Sequence, residues 1–314
     1  MHGDSGPVSV TDMISYSMRR CGLSGYAYLK DMNVDAAIDL RVMSYNVYGC
    51  VDADRKVDIQ KIINIIDQIK PDVIALQEVD GETPPSANRN QARIIGETLA
   101  FNYRYVPLEK DGRHAFGLAI LSRFALEQSE FTPLPNLHAS LKMRKRGALR
   151  AEIKTPNGEV RFINTHLSVF RIERYLQLRA IMKWSGLSKR PFDKPLIFCG
   201  DLNAKPKSLG YRKIADHLTD VQKAPNRTVR PEPTFPSKVP SFRIDHIFVS
   251  HHWEIRQFKV IKNPLTINAS DHLPLVADLK LPYTGQKKRA DLSESRRKAG
   301  RVSARSGRRD DAQG

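Results

Sequence analysis

Eight short apolar segments, interrupted by two amphipathic stretches, restrict this chain to a small set of folds. The segments are rich in β-branched and aromatic residues and are bounded by Gly, Pro, Asn or Asp, a pattern typical of β-strands. They cover residues 40–49, 72–79, 116–123, 147–153, 160–167, 195–203, 243–250 and 273–281. We therefore predict a core built mainly from strands.

Two stretches between the strands have the period of an amphipathic helix. Residues 57–70 place five isoleucines on one stripe. Residues 171–186 place a second apolar stripe on one side, beginning at Ile172. Gly186 suits the end of that helix. Because these helices alternate with buried strands, the sequence predicts an α/β domain built in layers.

The two ends of the chain differ in composition from the segments between them. Residues 1–39 carry no clear period, and we predict an N-terminal appendage there. From Gly285 onward the chain holds ten Lys and Arg against four Asp and Glu, so residues 283–314 are predicted to form a basic disordered tail. This tail is a candidate for binding polyanions, and a solvated, functionally silent tail is the alternative. The folded domain is predicted at 40–282.

The chain is strongly basic, with 51 Lys and Arg against 34 Asp and Glu and a net charge of +17. Such a balance favours a polyanionic partner: nucleic acid, an anionic membrane surface or phosphorylated small molecules. No stretch approaches the roughly 20 apolar residues of a membrane span. The N-terminus lacks the basic start and apolar centre of an export signal. We therefore expect neither a transmembrane segment nor export.

Three cysteines, Cys21, Cys50 and Cys199, stand far apart without a CxxC pair. This spacing disfavours both a zinc site and a disulfide framework. Cys199 lies in an apolar run and is predicted to be an inert buried thiol. A reducing cytoplasm is the compartment that fits this cysteine usage.

Several apolar strands run into a carboxylate, an amide or an imidazole near their C-terminal ends. Taken singly, each such residue has an ordinary explanation as a turn residue or a solvated strand end. Asp245 is the exception because an acid between two isoleucines needs a partner, and a carboxylate commonly orients a histidine. The residues of this pattern are Asn46, Glu78, Asn164, His166, Asp201, Asn203, Asp245, His246, Asp271 and His272.

Together these side chains supply hard oxygen ligands and imidazoles but no thiolate. That set suits Mg²⁺, with Mn²⁺ and Ca²⁺ as alternatives, better than structural zinc. A hard cation held by carboxylates, water and a substrate phosphate is typical of phosphoryl chemistry. The sequence has no GxxxxGK[ST] loop and no GxSxG elbow, which disfavours an NTPase and a serine hydrolase.

The order of the motifs resembles that of the endonuclease/exonuclease/phosphatase superfamily, which has the deoxyribonuclease/sphingomyelinase/inositol-phosphatase fold. The resemblance covers about residues 40–282. It implies a four-layer α/β sandwich of two mixed β-sheets with outer helices. The motifs that carry it are MSYNVYG, ALQEVD, GLAILSR, INTHL, CGDLNAKP, RIDHIFVS and SDHLPLVADL.

The resemblance also implies a metal-dependent active site at one edge of the sandwich. Carried over position by position, Asn46 and Glu78 would hold the metal, with Glu78 as the main carboxylate ligand. Asp271 would lie near the metal. Mg²⁺ is the expected cofactor, and Mn²⁺ or Ca²⁺ is the alternative.

The remaining motif residues would act on the phosphate. Asp201 and Asn203 would flank the scissile phosphate, because they stand on one side of an extended chain. Asp245 would orient and charge a histidine, and His272 would be the other histidine of the pair. His166 would stabilise the phosphorane or protonate the leaving oxygen. Which histidine acts as the base stays open.

The sequence departs from the abasic-site repair nucleases of this superfamily. Those proteins usually carry a tyrosine in the region of His166, and a tryptophan where this chain has Tyr45. The chain therefore looks closer to the deoxyribonuclease, sphingomyelinase and deadenylase branches, or to the small bacterial members of undefined substrate. It shows no apolar β-hairpin of the kind with which sphingomyelinases dock on membranes.

The leading interpretation is a metal-dependent phosphodiester hydrolase, endonuclease-like or exonuclease-like. The charge of +17 favours nucleic acid as the substrate over a lipid headgroup. A phospholipid or inositol-phosphate phosphohydrolase is the second interpretation. A nucleic-acid-binding protein without catalysis is the third, and the intact motif residues argue against it.

Overall fold

Two mixed β-sheets of six strands each form the centre of the protein in the computed structural model, which describes residues 38–81, 83, 89–108, 116–137, 144–188, 191–223 and 231–282. The tail and nearly all of the predicted N-terminal appendage lie outside these residues. In chain order the strands are β1 (Ile38–Asn46), β2 (Val73–Val79), β3 (Asn102–Pro107), β4 (Gly117–Ser122), β5 (Ala125–Pro133), β6 (Gly147–Thr155), β7 (Gly158–His166), β8 (Leu196–Asp201), β9 (Thr219–Asp220), β10 (Asp245–Val249), β11 (Glu254–Val260) and β12 (Leu275–Leu281).

Five α-helices accompany the sheets in the described part of the chain. None of them is long and apolar enough to cross a membrane. They are α1 (Ile59–Ile69), α2 (Gln91–Leu99), α3 (Arg171–Ser185), α4 (Leu209–Ala215) and α5 (Pro264–Ala269).

Each sheet is built around one parallel pair of strands. The first sheet has the order β11-β12-β1-β2-β4-β3, and the second has the order β5-β6-β7-β8-β10-β9. β1 pairs parallel with β2 and β7 pairs parallel with β8, while the other neighbours pair antiparallel. Helix α1 crosses over between β1 and β2, and α3 crosses over between β7 and β8. The carboxyl ends of each parallel pair therefore lie side by side.

Alternation along the strands sorts the apolar side chains into three cores. On β1, Leu40 and Val42 point between the two sheets, whereas Met43 and Tyr45 pack toward α1 and α2. On β8, Phe198 packs toward α3 and α4 on the other side of the molecule. The layers are helix, sheet, sheet and helix, which confirms the predicted four-layer α/β sandwich.

Helix α1 shows how the sequence specifies one of these layers. The Asp58 side chain caps the helix by accepting a hydrogen bond from the Lys61 backbone N–H. Ile62, Ile65 and Ile66 are fully buried against the first sheet, and each contributes roughly 2 kcal/mol relative to an exposed side chain. The predicted helix at 57–70 is therefore present, with slightly shorter ends.

A pair of buried amides joins the two sheets. Gln77 on β2 donates from Nε2 to Asn164 Oδ1 on β7 over 2.8 Å. Asn164 in turn donates from Nδ2 to the carbonyl oxygens of Leu76 and Ala119, both over 2.8 Å. Because the buried amide hydrogen-bonds across the core, Asn164 serves to fix one sheet against the other rather than to act at a site.

Gly200 is required where β8 runs beside β7. Its φ is 142°, and a Cβ at this position would lie 1.9 Å from the Thr165 carbonyl oxygen. Any side chain would push the two strands apart. The glycine thus allows His166 and Asp201, which are register partners at the ends of β7 and β8, to lie close together.

The buried cysteines agree with the sequence prediction for Cys199. It lies on β8 between the sheets, and burial raises the pKa of its thiol, which keeps it protonated and unreactive. Cys50 is also buried and free. Cys21 lies outside the described residues.

One helical prediction differs from the structure. The apolar stripe predicted for residues 171–186 includes Ile172, but this side chain is 71% exposed. Leu178 and Ile181 of the same helix are fully buried. The first turn of α3 therefore leaves the apolar layer, although the periodicity of the sequence gives no sign of it.

Candidate active site

Four strand ends bring polar side chains into the gap between the sheets. Asn46 ends β1, His166 ends β7, Asp201 ends β8, and Asp245 begins β10 directly opposite Asp201. By alternation each of these side chains points inward, on the same face as the inner core. All four are buried. The fold thus concentrates them at one edge of the sandwich.

Glu78 reaches the same place by a local distortion of β2. Regular alternation would turn Glu78 toward the helices, as it turns Leu76. A register shift between Gln77 and Val79 and a φ of 53° at Glu78 redirect the side chain. A left-handed φ costs about 1–2 kcal/mol at a residue other than glycine. Its carboxylate Oε1 consequently lies 3.3 Å from Asn46 Nδ2.

His272 and Asp245 form a buried, hydrogen-bonded pair. His272 Nδ1 lies 2.9 Å from Asp245 Oδ2, and Thr234 donates its hydroxyl to the same oxygen. Burial alone would lower the pKa of His272, but the Asp245 carboxylate outweighs burial and raises it to about 10. Phe235 packs its ring 4.8 Å from the imidazole. His272 is therefore positively charged, and its hydrogen bond with Asp245 keeps it oriented as a donor.

Asp201 and Asn203 meet through a tight turn. The Asn203 backbone N–H donates to Asp201 Oδ1 over 2.8 Å, and Asn203 has a φ of 47°. The two side chains do lie on one side, but a left-handed residue places them there and not the extended chain that we predicted. Burial, with the neighbouring Asp245, raises the pKa of Asp201 to about 7. A proton on this carboxylate is thus easily gained or lost near neutral pH.

His166 lies against both of these residues. Its Nε2 is 3.3 Å from Asp201 Oδ2 and 3.3 Å from Asn203 Nδ2. Burial, assisted by the positive charge of Arg146, lowers the pKa of His166 well below its ordinary value. His166 is therefore neutral, in contrast to His272.

Two arginines that the sequence analysis did not select also face the cluster. Arg144 Nη1 donates to Glu78 Oε2 over 2.9 Å, and its guanidinium lies over the Phe116 ring. The Arg146 guanidinium makes no hydrogen bond with the described residues, yet it lies within the electrostatic reach of Glu78 and Asp201. Both precede β6 in the run MRKRG, which as sequence reads like an ordinary solvated basic segment.

The donor set fits a divalent cation. Asp271 Oδ1 is buried and has no hydrogen-bond partner among the described residues, as expected of an atom that would face a cation. Burial raises the pKa of Asp271, and the negative charge of Glu78 adds to this effect. Asn46 is oriented differently from a ligand, because its Oδ1 accepts from the Tyr48 backbone and its Nδ2 faces Asp201. Glu78 and Asp271 are therefore the better supported pair.

A second group of buried ligand atoms lies nearby. One possible ligand atom from each of Asp201, Asp245 and His272 lies within 4.8 Å of the other two. In this group the His272 Nδ1 already binds Asp245, and a protonated imidazole cannot coordinate a cation. This group is therefore a less suitable cation site than Glu78 with Asp271.

The structure brings the predicted site residues together. Seven of them form one network of contacts no longer than 3.5 Å, and Asp271 lies beside Glu78 and His272. His246, which the strand pattern also contained, points to the opposite face of β10 and packs on Tyr211 and Phe248. The seven residues are Asn46, Glu78, His166, Asp201, Asn203, Asp245 and His272.

Comparisons with known proteins agree with this fold. The model of the Endonuclease/Exonuclease/phosphatase family matches residues 43–272. The protein named Uncharacterized protein YbhP, from Escherichia coli (strain K12), is 26% identical over 261 residues, which cover 77% of this chain and 96% of that protein.

Solved structures share the fold. An endonuclease/exonuclease/phosphatase from Beutenbergia cavernae DSM 12333 is similar with a TM-score of 0.61 and 26% identity, over 77% of this chain and 72% of that one. The human Nocturnin catalytic domain, solved with bound sulfate, gives a TM-score of 0.62 and 21% identity, over 77% of this chain and 93% of that one.

Proposed function

The chain belongs to the Endonuclease/Exonuclease/phosphatase family, a family of hydrolytic phosphoesterases, and from this premise we propose that it is a Mg²⁺-dependent hydrolase that cleaves phosphodiesters. One observation carries the proposal: the ends of two parallel strand pairs, one from each sheet, meet in a buried cluster of acids, amides and two histidines in different charge states. The cluster has cations to hold a phosphate and a carboxylate to accept a proton.

The side chains of the cluster divide the reaction between them. Charged His272, held by Asp245, donates a hydrogen bond to a phosphate oxygen, and Asn203 donates a second one. Asp201 takes a proton from the attacking water while the new P–O bond forms and the bond to the leaving oxygen breaks. Neutral His166 donates a hydrogen bond from its N–H to the leaving oxygen, and the proton that Asp201 has taken from water is passed on to that oxygen as it departs.

Glu78 and Asp271, with Asn46 beside them, would hold the cation. A bound Mg²⁺ supplies charge neutralisation for the phosphate oxygens in the transition state. The Arg146 guanidinium interacts electrostatically with Glu78 and Asp201 and has no hydrogen-bonding partner among the described residues, so we propose that it binds a non-bridging phosphate oxygen.

Nucleic acid is the substrate class that the charge favours. The positive charge is not confined to the tail, because residues 40–282 hold 38 Lys and Arg against 25 Asp and Glu, a net charge of +13. A basic domain attracts a polyanionic backbone and speeds its association. The basic tail would add to this attraction.

A phospholipid diester is the second candidate. Positive charge suits an anionic lipid headgroup as well as a nucleic acid. The specific observation in its favour is a set of exposed aliphatic side chains beside the cluster, among them Ile172, Leu209 and Val239. Inositol phosphates fit the charge but give no use for these aliphatic groups.

Hydrolysis of a soluble diester, bis(p-nitrophenyl) phosphate, tests the proposal directly. We expect turnover with Mg²⁺, none with EDTA, and little with the monoester p-nitrophenyl phosphate. Parallel assays on plasmid DNA, RNA, phosphatidylglycerol vesicles and inositol phosphates then identify the substrate class. If no divalent cation supports hydrolysis of any of these, while the protein still binds nucleic acid, the chain is a binding protein and the proposal is wrong.

The cytoplasm is the compartment that we propose. Cys50 and Cys199 are free thiols, and an oxidising compartment gives no advantage to a fold without a disulfide among its described residues. Fractionation of cells that express the full chain would test this.

A further inference from the structure

The mouth of the cluster is bordered by three segments that expose aliphatic and basic side chains together. These segments, residues 169–175, 205–210 and 237–242, are called the apolar rim below. Ile172 is 71% exposed, Leu209 is 50% exposed and Val239 is 72% exposed. Large aliphatic side chains at such exposure are unfavourable in water, and a grouping of them beside a site marks an interaction surface.

The apolar rim is continuous with the catalytic cluster. Asn203 donates from Nδ2 to the carbonyl oxygen of Leu167, two residues before the first segment. The second segment begins at Lys205, two residues after Asn203. A partner that binds the rim therefore lies at the entrance to the phosphate site.

The third segment joins the rim through aromatic contacts. Phe242 stacks on Phe235 with ring centroids 6.5 Å apart, and Phe235 packs against His272. Lys205 places its ammonium group 4.2 Å from the centre of the Phe242 ring. The second and third segments thus meet directly beside the charged histidine.

A groove of about 610 Å³ lies within the rim, between α3 and the start of α4. Its walls include Ile172, Tyr175 and Leu209, and Arg171 and Arg174 lie at the same groove. Arg174 donates to the carbonyl oxygens of residues 168 and 169, which fixes its guanidinium at this edge. The groove is apolar inside and cationic at its border.

The charges of the rim have one sign. Arg171, Lys205, Lys207 and Lys238 are exposed. The one carboxylate in the three segments, Glu173, is buried, where it accepts hydrogen bonds from the Leu137 backbone and from Gln177. Exposed aliphatic groups surrounded by exposed cations are the combination that binds the interface of an anionic membrane.

We propose that the apolar rim docks this protein on an anionic phospholipid surface, with the phosphate site facing the headgroups. The aliphatic side chains enter the boundary between headgroups and acyl chains, while the lysines and arginines lie at the level of the lipid phosphates. A single-stranded nucleic acid would use the cations and the exposed Phe242 ring but would leave the three aliphatic side chains in water. The docking goes beyond the hydrolysis proposed above and places a phospholipid diester within reach of the site.

Vesicle binding by the full-length protein tests the docking. The probes are vesicles of phosphatidylcholine alone and vesicles that also contain phosphatidylglycerol, and the readout is the fraction of protein that sediments with them. We expect binding to the anionic vesicles only. Ile172→Ser with Val239→Ser should weaken this binding roughly tenfold because it removes apolar surface from the docked face. Lys205→Gln with Lys207→Gln should weaken it about 30-fold because it removes two cations.

Matched controls isolate the rim from general charge and from the tail. Val57→Ser removes an exposed valine outside the rim, and Lys259→Gln with Lys262→Gln removes two exposed lysines near β11. The valine control should bind as the wild type does, and the lysine control should lose much less affinity than the rim lysine variant. Equal loss in both lysine variants would mean that net charge alone attracts the vesicles, and the inference would be overturned.

Two further results would also overturn it. One is a wild-type protein that does not sediment with anionic vesicles. The other is a rim variant that loses binding to a single-stranded oligonucleotide but keeps vesicle binding. Turnover of bis(p-nitrophenyl) phosphate separates this inference from the proposed function, because a soluble diester needs no docking. Normal turnover without vesicle binding refutes the docking alone, and vesicle binding without any turnover refutes the hydrolase.

Discussion

At the scale of single residues, Glu78 combines a strained backbone conformation with a proposed role as a metal ligand. Its left-handed φ turns a side chain that would face the helices toward the phosphate site. Strain of this kind persists where the surrounding structure holds it, and it is concentrated at functional sites. Substitution of Glu78 is therefore the first test of the proposed site.

Glu78→Gln should keep the fold and lower turnover at saturating Mg²⁺ by at least about 10²-fold, since metal assistance supplies several kcal/mol of transition-state stabilisation. The change is nearly isosteric but removes the charge. Glu97→Gln, on the exposed face of α2, is the matched control and should be neutral. Turnover of the Glu78 variant equal to that of the wild type would refute the metal assignment.

His166→Ala and His272→Ala should each lower turnover by about 10²–10⁴, the usual range for a positioned proton donor or acceptor. The thermal midpoints should stay near that of the wild type, and His251→Ala, at an exposed position, serves as control. A variant that unfolds but retains its specific activity would show that its histidine has a structural role only.

Arg146→Met should weaken the inhibition by inorganic phosphate roughly tenfold or more, because a hydrogen bond to a charged group contributes about 1.5–3 kcal/mol. Arg146→Lys should restore part of that affinity. Arg150→Met, on strand β6 just after Arg146 and paired with Glu130, is the control and should leave phosphate inhibition unchanged. Equal inhibition constants for wild type and Arg146→Met would exclude a phosphate contact.

From the sequence we predicted which residues lie together in the site. We did not predict every backbone conformation that brings them together. Polar residues near strand ends indicated most of the cluster, because parallel strands end at a common edge, but the same pattern included Asn164 and His246, which lie elsewhere. Two features escaped that reasoning. Arg146 lies in a basic run that looks solvated, and the orientation of Glu78 depends on a bulge, which sequence periodicity does not reveal. The catalytic roles themselves stay predictions.

At the scale of elements, strand β10 turns neighbouring side chains to opposite faces of its sheet. Two histidines consequently have different environments: His272, which Asp245 holds, and His246. Asp245 faces the inner site, whereas His246 faces α4, where its Nε2 lies 2.8 Å from the Ala204 carbonyl oxygen. Burial, together with the positive charge of Arg243, lowers the pKa of His246 to about 4, although Asp220 and Asp245 oppose this effect. The imidazole is therefore neutral in the folded protein over a range where it is charged in the unfolded chain.

The free energy of unfolding should consequently depend on pH through His246. Stability is fully present above the unfolded pKa of about 6.5 and is lost as the pH falls toward 4, by about 3 kcal/mol from this residue. Urea unfolding of His246→Gln should show a flatter profile between these pH values than the wild type does. His251→Gln is the exposed control. An unchanged slope in His246→Gln would mean that His246 titrates normally.

Two strands that sequence reasoning missed, β3 and β5, have little apolar pattern. Strand β5 exposes most of its side chains, and β3 exposes or half-exposes all of its side chains. Both lie at the edge of a sheet, so one face packs weakly and the alternation of apolar residues fades. The buried strands β2, β4 and β8 were predicted because both of their faces are covered.

At the scale of the whole molecule, the tail should be dispensable for folding. The last strand, β12, ends at Leu281, so a chain cut before Gly285 keeps every described element. Turnover of a small soluble diester should be unchanged. The salt dependence of binding to a polyanion should become shallower, by about 0.9 in the log–log slope for each phosphate that the tail no longer neutralises. Aggregation of the shortened chain would indicate that the tail packs on the core.

The amide bridge between Gln77 and Asn164 has a consequence for engineering. Each sheet contributes part of the proposed phosphate site. The bridge fixes the lateral position of one sheet relative to the other, so that the two parts of the site lie together. A chimera that takes one sheet from a relative must therefore carry a compatible amide across the contact between the sheets.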